Sequence, residues 1–122
     1  MSQDFNTLSF VSPSNNSITF SPQHSSNRIL ITANVKGTME TSTSNGGYRI
    51  RRGGNEIKTG GLYAGNSGIR NLMHTSCTYI DAGHNTTSST TWDIQFRCQN
   101  GGGLGYSTWW MSCDFTIMEL AS

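Results

Sequence analysis

The side chains that could ligate a metal or carry acid–base chemistry are few: three histidines, three cysteines and seven carboxylates in 122 residues. His74, Cys77, His84, Cys98 and Cys113 form the candidate metal set. Residues three apart on a strand point to opposite faces, so His74 and Cys77 do not readily share an ion. No C-x-x-C pair occurs, and structural zinc is usually built on such close pairs. Buried small cysteines with surface histidines are the plainer reading. The candidate bases are His24, His74 and His84. Asp81 and His84 share one turn, yet no Gly-x-Ser-x-Gly presents a nucleophile. Glycoside hydrolysis needs two carboxylates on one cleft, whereas Asp4, Glu40, Glu56, Asp81, Asp93, Asp114 and Glu119 are scattered along the chain. These residues predict no catalytic site, no metal and no cofactor.

Binding chemistry is better represented. Arg49 and Arg51 share the outer face of one strand, with Arg52 beside them, and could contact nucleic acid or an acidic partner. The net charge is only +1, so a solvated face is the simpler expectation, and inter-subunit pairing with Glu56 or Asp93 is a third. Tyr106, Trp109 and Trp110 follow the run 101–103 of glycines. Adjacent tryptophans on a strand face opposite ways, so one joins the core and the other is covered or exposed. Exposed Trp and Tyr anchor interfaces and stack on sugars. The expectation is a subunit interface containing Phe5, Met73, Tyr79, Trp109, Trp110 and Met111. The alternative is a glycan site at Tyr106, Trp110 and His84.

The elements that must position these residues read as strands. Charged residues are 12% of the chain, about half the usual share, and the polar positions are Ser, Thr, Asn and Gly, which disfavour long helices. Alternation predicts strands over Thr7–Val11, Ser17–Phe20, Arg28–Gly37, Tyr48–Arg52, Asn55–Lys58, Asn71–Ile80, Thr91–Gln99, Tyr106–Met111 and Cys113–Leu120. Pro22 ends one run, and Gly53-Gly54 reads as a hairpin turn. Thr41–Gly47, Gly60–Gly68 and Asp81–Ser89 read as loops. Leu30 breaks the alternation of its strand. Asn71–Ile80, apolar on both faces, is expected to be central or to meet another subunit. The core is expected to hold Ile29, Ile31, Val35, Trp92, Ile94, Phe96, Phe115 and Ile117. The fold class that follows is all-β, a single domain over 1–122 with about eight short antiparallel strands in a jelly-roll-like sandwich.

Several classes are disfavoured. A charge of +1 is too small to drive nucleic-acid or lipid binding by field alone. No stretch approaches the ~20 apolar residues of a membrane helix, so no membrane insertion is expected. The first residues lack the pattern of a secretion signal, and an odd cysteine count fits a cytoplasm. The sequons at Asn15 and Asn85 read as chance in a chain this rich in Asn, Ser and Thr.

Taken in order, Ser25-Ser26-Asn27-Arg28-Ile29-Leu30-Ile31, Tyr48-Arg49-Ile50-Arg51-Arg52-Gly53-Gly54-Asn55-Glu56-Ile57, Thr91-Trp92-Asp93-Ile94-Gln95-Phe96-Arg97 and Phe115-Thr116-Ile117-Met118-Glu119-Leu120 resemble a β-rich domain of tailed-bacteriophage virion surface proteins. In that family, common in phages of marine and cyanobacterial hosts, it forms the C-terminal part of tail fibres and related proteins. The resemblance covers Leu8 to Leu120. It implies a jelly-roll-like sandwich that forms a homotrimer, with other virion proteins such as capsid or tail components as partners and no catalytic residues. Without the long N-terminal region of larger members, the chain is expected to be a capsid decoration or a short head or tail appendage, assembled in the host cytoplasm and displayed on the virion surface. Residues 1–6 would then be an attachment arm, with Thr7–Val11 joining the sheet. The opposing class is a carbohydrate-binding receptor module that grips a host surface glycan.

Overall fold

The strands pair in a nested series that the chain order makes simple to follow. The computed structural model describes residues 2–5, 16–39, 44–64, 71–100 and 109–122. These described residues form eight strands: β1 (Ser2–Phe5), β2 (Ser17–Phe20), β3 (Arg28–Met39), β4 (Ser44–Arg52), β5 (Asn55–Ala64), β6 (Asn71–Asp81), β7 (Thr90–Asn100) and β8 (Trp109–Leu120). They form two four-stranded sheets in the orders β1-β8-β3-β6 and β2-β7-β4-β5. Every ladder is antiparallel. First pairs with last, second with seventh, third with sixth and fourth with fifth. The chain is thus one long hairpin whose tip is the β4–β5 turn, wrapped so that successive pairs fall in alternate sheets. That path is the jelly roll, and the all-β expectation is met.

The tip shows why this sequence folds there. Arg52 pairs with Asn55, leaving a two-residue loop of Gly53 and Gly54 at φ 55° and 84°. A type I′ turn demands positive φ at both central residues, which glycine adopts without a Cβ penalty. Gly53 also donates its N–H to the Thr91 carbonyl at 2.8 Å, docking the tip onto β7.

Between the sheets lie Ile29, Ile31, Ala33 and Val35 of β3, Tyr48 and Ile50 of β4, Cys77 of β6, Trp92, Ile94 and Phe96 of β7, and Cys113 of β8. The inner strands β3, β4 and β7 supply most of these, since their inward side chains are shielded on both flanks. Each fully buried Ile or Val contributes about 1.5–3 kcal/mol. Phe115 and Ile117, expected in the core, are half-buried and pack against its margin.

Several elements differ from the sequence reading. Ser44–Gly47 and Gly60–Ala64, read within loops, extend β4 and β5. Their poor strand propensity is offset because β4 is laddered on both sides and the Tyr48 ring lies over Gly60. A methyl group at Gly60 would overlap that ring. Gly60→Ala is therefore expected to destabilise by about 1–3 kcal/mol, read as a lower urea midpoint; an unchanged midpoint would mean that the ring does not cover the glycine. Trp109–Leu120 is one strand rather than two. Ser2–Phe5, expected to be an arm, pairs with Trp109–Ser112 as β1. Finally β6, expected to be central or to meet another subunit, stands at a sheet edge rather than in its middle. Thr7–Val11 and Tyr106 lie outside the described residues.

Candidate interaction surface

The outward side chains of the β1-β8-β3-β6 sheet form rows across three strands. Leu30 is in register with Ile80 of β6 and Met118 of β8. Next come Thr78, Thr32 and Thr116, and then Ser76, Asn34 and Asp114. The Ser76 hydroxyl donates to Asn34 Oδ1 at 2.8 Å. Ile80 and Met118, 43% and 60% exposed, are the exposed large apolar side chains among the described residues. A shallow depression of about 210 Å³ lies over this face, lined by Leu30, Thr32, Thr116, Ile117 and Met118. One end of the outer face therefore carries an apolar row, and its middle is hydroxyl-rich. Such a face suits contact with another protein surface.

The opposite sheet presents a different exterior. Arg51 is in register with Asp93, and Arg49 with Gln95. The Arg51 guanidinium grips the Asp93 carboxylate with two nitrogens, and that bond raises its pKa further above the ordinary arginine value. Arg49 donates Nε to Gln95 at 2.7 Å and lies 3.8 Å from Glu56. The basic group is thus matched by Asp93, Gln95 and Glu56 within the chain. Its bidentate geometry ties β4 to β7.

At one end of the sandwich a polar network binds three segments. Asp81, 2% exposed, accepts from Trp92 Nε1 at 3.0 Å, Gly83 N at 3.0 Å and Arg52 Nη1 at 2.5 Å. His84, expected at the surface, is buried edge-on to Trp92, with Nε2 2.7 Å from the Asn27 carbonyl. Its turn folds inward because Asp81 captures Gly83, and Asn85 takes a left-handed φ of 46° that asparagine tolerates. Asn27 in turn donates to Glu119 at 2.7 Å and accepts from Ser122 N at 3.1 Å. These residues hold the chain end and two loops together.

A solved viral structure has this fold. A chain in the structure of infectious bursal disease virus, Gx strain, covers 98% of this chain with a TM-score of 0.57 at 16% identity. This chain spans 30% of that one's length. No family model and no curated protein matches the sequence. The likeness is one of backbone, and the motifs that resemble tailed-phage surface domains have no family model behind them.

The residues expected at an interface are partly gathered by the register. Phe5 pairs with Trp109, and Gly37 stands between Met73 and Met111. Trp110 pairs with Asp4 and Thr38. These five thus converge on one end of one sheet, although their side chains lie outside the described residues. Tyr79 is half-buried against the core, facing inward with Cys77. Of the glycan alternative, His84 is closed off by burial, Trp110 has only its backbone described, and Tyr106 is outside the described residues.

Sequence reasoning passes over the row itself. Leu30, Ile80 and Met118 each break the alternation of their own strand, and singly such breaks are ordinary. What gives them weight is that three independent breaks fall on one cross-strand line, and that line needs the register to be seen.

Chemistry has little footing elsewhere. Burial first, and the Asp114 charge second, push the Cys113 thiol up to about 12, so it is not a thiolate at neutral pH. Burial and a bond to Cys77 raise the Tyr48 hydroxyl above its ordinary value. Among the described residues no group of three His, Cys, Asp or Glu could hold a metal ion, and no helix is long and apolar enough to cross a membrane.

Proposed function

We propose that this chain is a structural, non-enzymatic protein of a virus particle, displayed on its surface as a capsid decoration or short appendage of the tailed-phage type that its motifs resemble. The observation that carries the reading is the backbone likeness, over nearly the whole chain, to a chain of the infectious bursal disease virus structure. The local chemistry supports it. The Cys77 and Cys113 thiols and the buried His84 are engaged in packing, the carboxylates Asp81, Asp93 and Glu119 are engaged in holding strands together, and a sheet face with an exposed apolar row is left available for neighbouring protein.

Purified particles of the virus that encodes the chain provide the test. Mass spectrometry should find it at a stoichiometry consistent with repeated copies, and a cryo-electron microscopy map should hold the eight-stranded sandwich on the particle exterior. Particles that lack the chain, or hold it only at trace level, would overturn the reading.

A further inference from the structure

Sheet edges are the places where a β protein is most exposed to unwanted pairing, and natural proteins guard them with short strands, charges, prolines or bulges. Three of the four edges here carry such devices. β1 and β2 are four residues each, and Pro22 follows β2. β5 carries Glu56 and Lys58, and its register with β4 shifts between Ile50 and Arg51. β6 has none of these. Its eleven residues run in unbroken register with β3, from Asp81 opposite Ile29 to Asn71 opposite Met39. Among the described residues it pairs with β3 alone. Its ionisable positions other than Cys77 and Tyr79 are His74 and Asp81, and Asp81 is buried and engaged by Arg52.

We propose that β6 is a self-association edge, where a second copy of this chain adds its own β6 antiparallel about a two-fold axis. The two four-stranded sheets then become one continuous eight-stranded sheet. The inference rests on the structural-protein reading and names the partner its apolar face is built beside. A two-fold contact is isologous and closes at two copies. Full overlap of Asn71–Asp81 centres the axis on Ser76, so Ser76 meets its own counterpart and His74 meets the partner subunit's Thr78. No like charges are opposed. Asp81 falls beside the partner subunit's Asn71, and exposed Ile80 carries the apolar row up to the seam. An eleven-residue antiparallel ladder supplies roughly ten hydrogen bonds, the number a typical protein interface carries. The apolar row alone offers at most a few hundred Å², below the ~800 Å² per partner of a stable interface, so the ladder is the principal contact.

Charge at position 76 tests this directly. Ser76 is exposed, so Ser76→Lys and Ser76→Glu should fold as wild type, with unchanged circular dichroism and melting. The wild type should be a dimer by light scattering at micromolar concentration. Each variant alone should dimerise about tenfold or more weakly, because the two-fold opposes like charges, and a 1:1 mixture should recover the dimer as a lysine–glutamate heterodimer. Thr116→Lys, on the same face but two strands from the edge, should leave association unchanged. A wild-type monomer or trimer, or dimers indifferent to charge at 76, would overturn the proposal. So would loss of association through Thr116→Lys with Ser76→Lys silent. If either charged variant fails to fold, Ser76→Cys with a short bis-maleimide decides the same question: a crosslinked dimer supports the edge, and its absence sinks it. A solution monomer still found in particles defeats this inference and leaves the functional reading standing; a dimer absent from particles does the reverse.

Discussion

Replacing Trp92 with alanine is expected to cost about 3–5 kcal/mol from the lost packing alone, a large share of the ~5–15 kcal/mol that holds a typical domain folded. The indole is fully buried, stacks on Phe20 at 4.9 Å between ring centroids, and meets the edge of His84 at 6.4 Å. Its N–H also satisfies the buried Asp81 carboxylate, so truncation leaves an acceptor short of a donor, for about 1–3 kcal/mol more. At a few degrees per kcal/mol for a domain of this size, the melting temperature should fall by roughly 15 °C or more. Trp92→Phe separates the two contributions. It retains most of the volume, loses the N–H, and should cost about 1–3 kcal/mol. If alanine and phenylalanine were equally tolerated, Trp92 would not be the joint between the core and the end network.

Trp92 also marks where the sequence is most legible. In β7 the alternation of Trp92, Ile94 and Phe96 against Asp93, Gln95 and Arg97 is strict, and the first three are fully buried. Gly53-Gly54 likewise announces its turn, because no other pair takes two successive positive φ values as cheaply. Both signals are local. What is not legible depends on partners far away in the chain. Ser44–Gly47 and Gly60–Ala64 have weak strand propensity and are strands because β4 is held from both sides. Ser2–Phe5 is a strand because β8 offers it an edge. β6 looks central by its two-sided apolar pattern, yet the nested path leaves it outermost, and Ile80 is exposed instead of buried. His84 reads as a surface residue because nothing in Asp81–Ser89 marks a loop that folds inward. Its burial follows from the bond of the Gly83 N–H to Asp81 and of its own Nε2 with the Asn27 carbonyl, which no spacing rule encodes.

The second large effect lies at Asp81. Burial by itself would raise this carboxyl's pKa, but the N–H bonds from Trp92 and Gly83 and the bond and charge of Arg52 outweigh it and hold the pKa below the ordinary value. A carboxylate whose folded pKa is depressed contributes stability that is complete above its unfolded pKa of about 4 and is lost as pH falls through the lower folded value. The chain should therefore lose stability steeply in acid. At neutral pH, Asp81→Asn keeps the shape but presents one fewer acceptor and no charge to Arg52. It should cost about 2–4 kcal/mol, somewhat less than breaking a fully buried pair, because the Arg52 side chain is 26% exposed. As pH drops below about 4, the wild type protonates the same group and the two stabilities should converge. Glu119, held below its ordinary pKa by the Asn27 amide first and the Gln23 N–H second, adds its own acid dependence, so the variant's curve is flatter without being flat. Urea unfolding of both proteins from neutral pH into acid reads this out. Parallel curves would show that Asp81 is held by shape alone, and that the pairing with Arg52 contributes no charge-dependent stability.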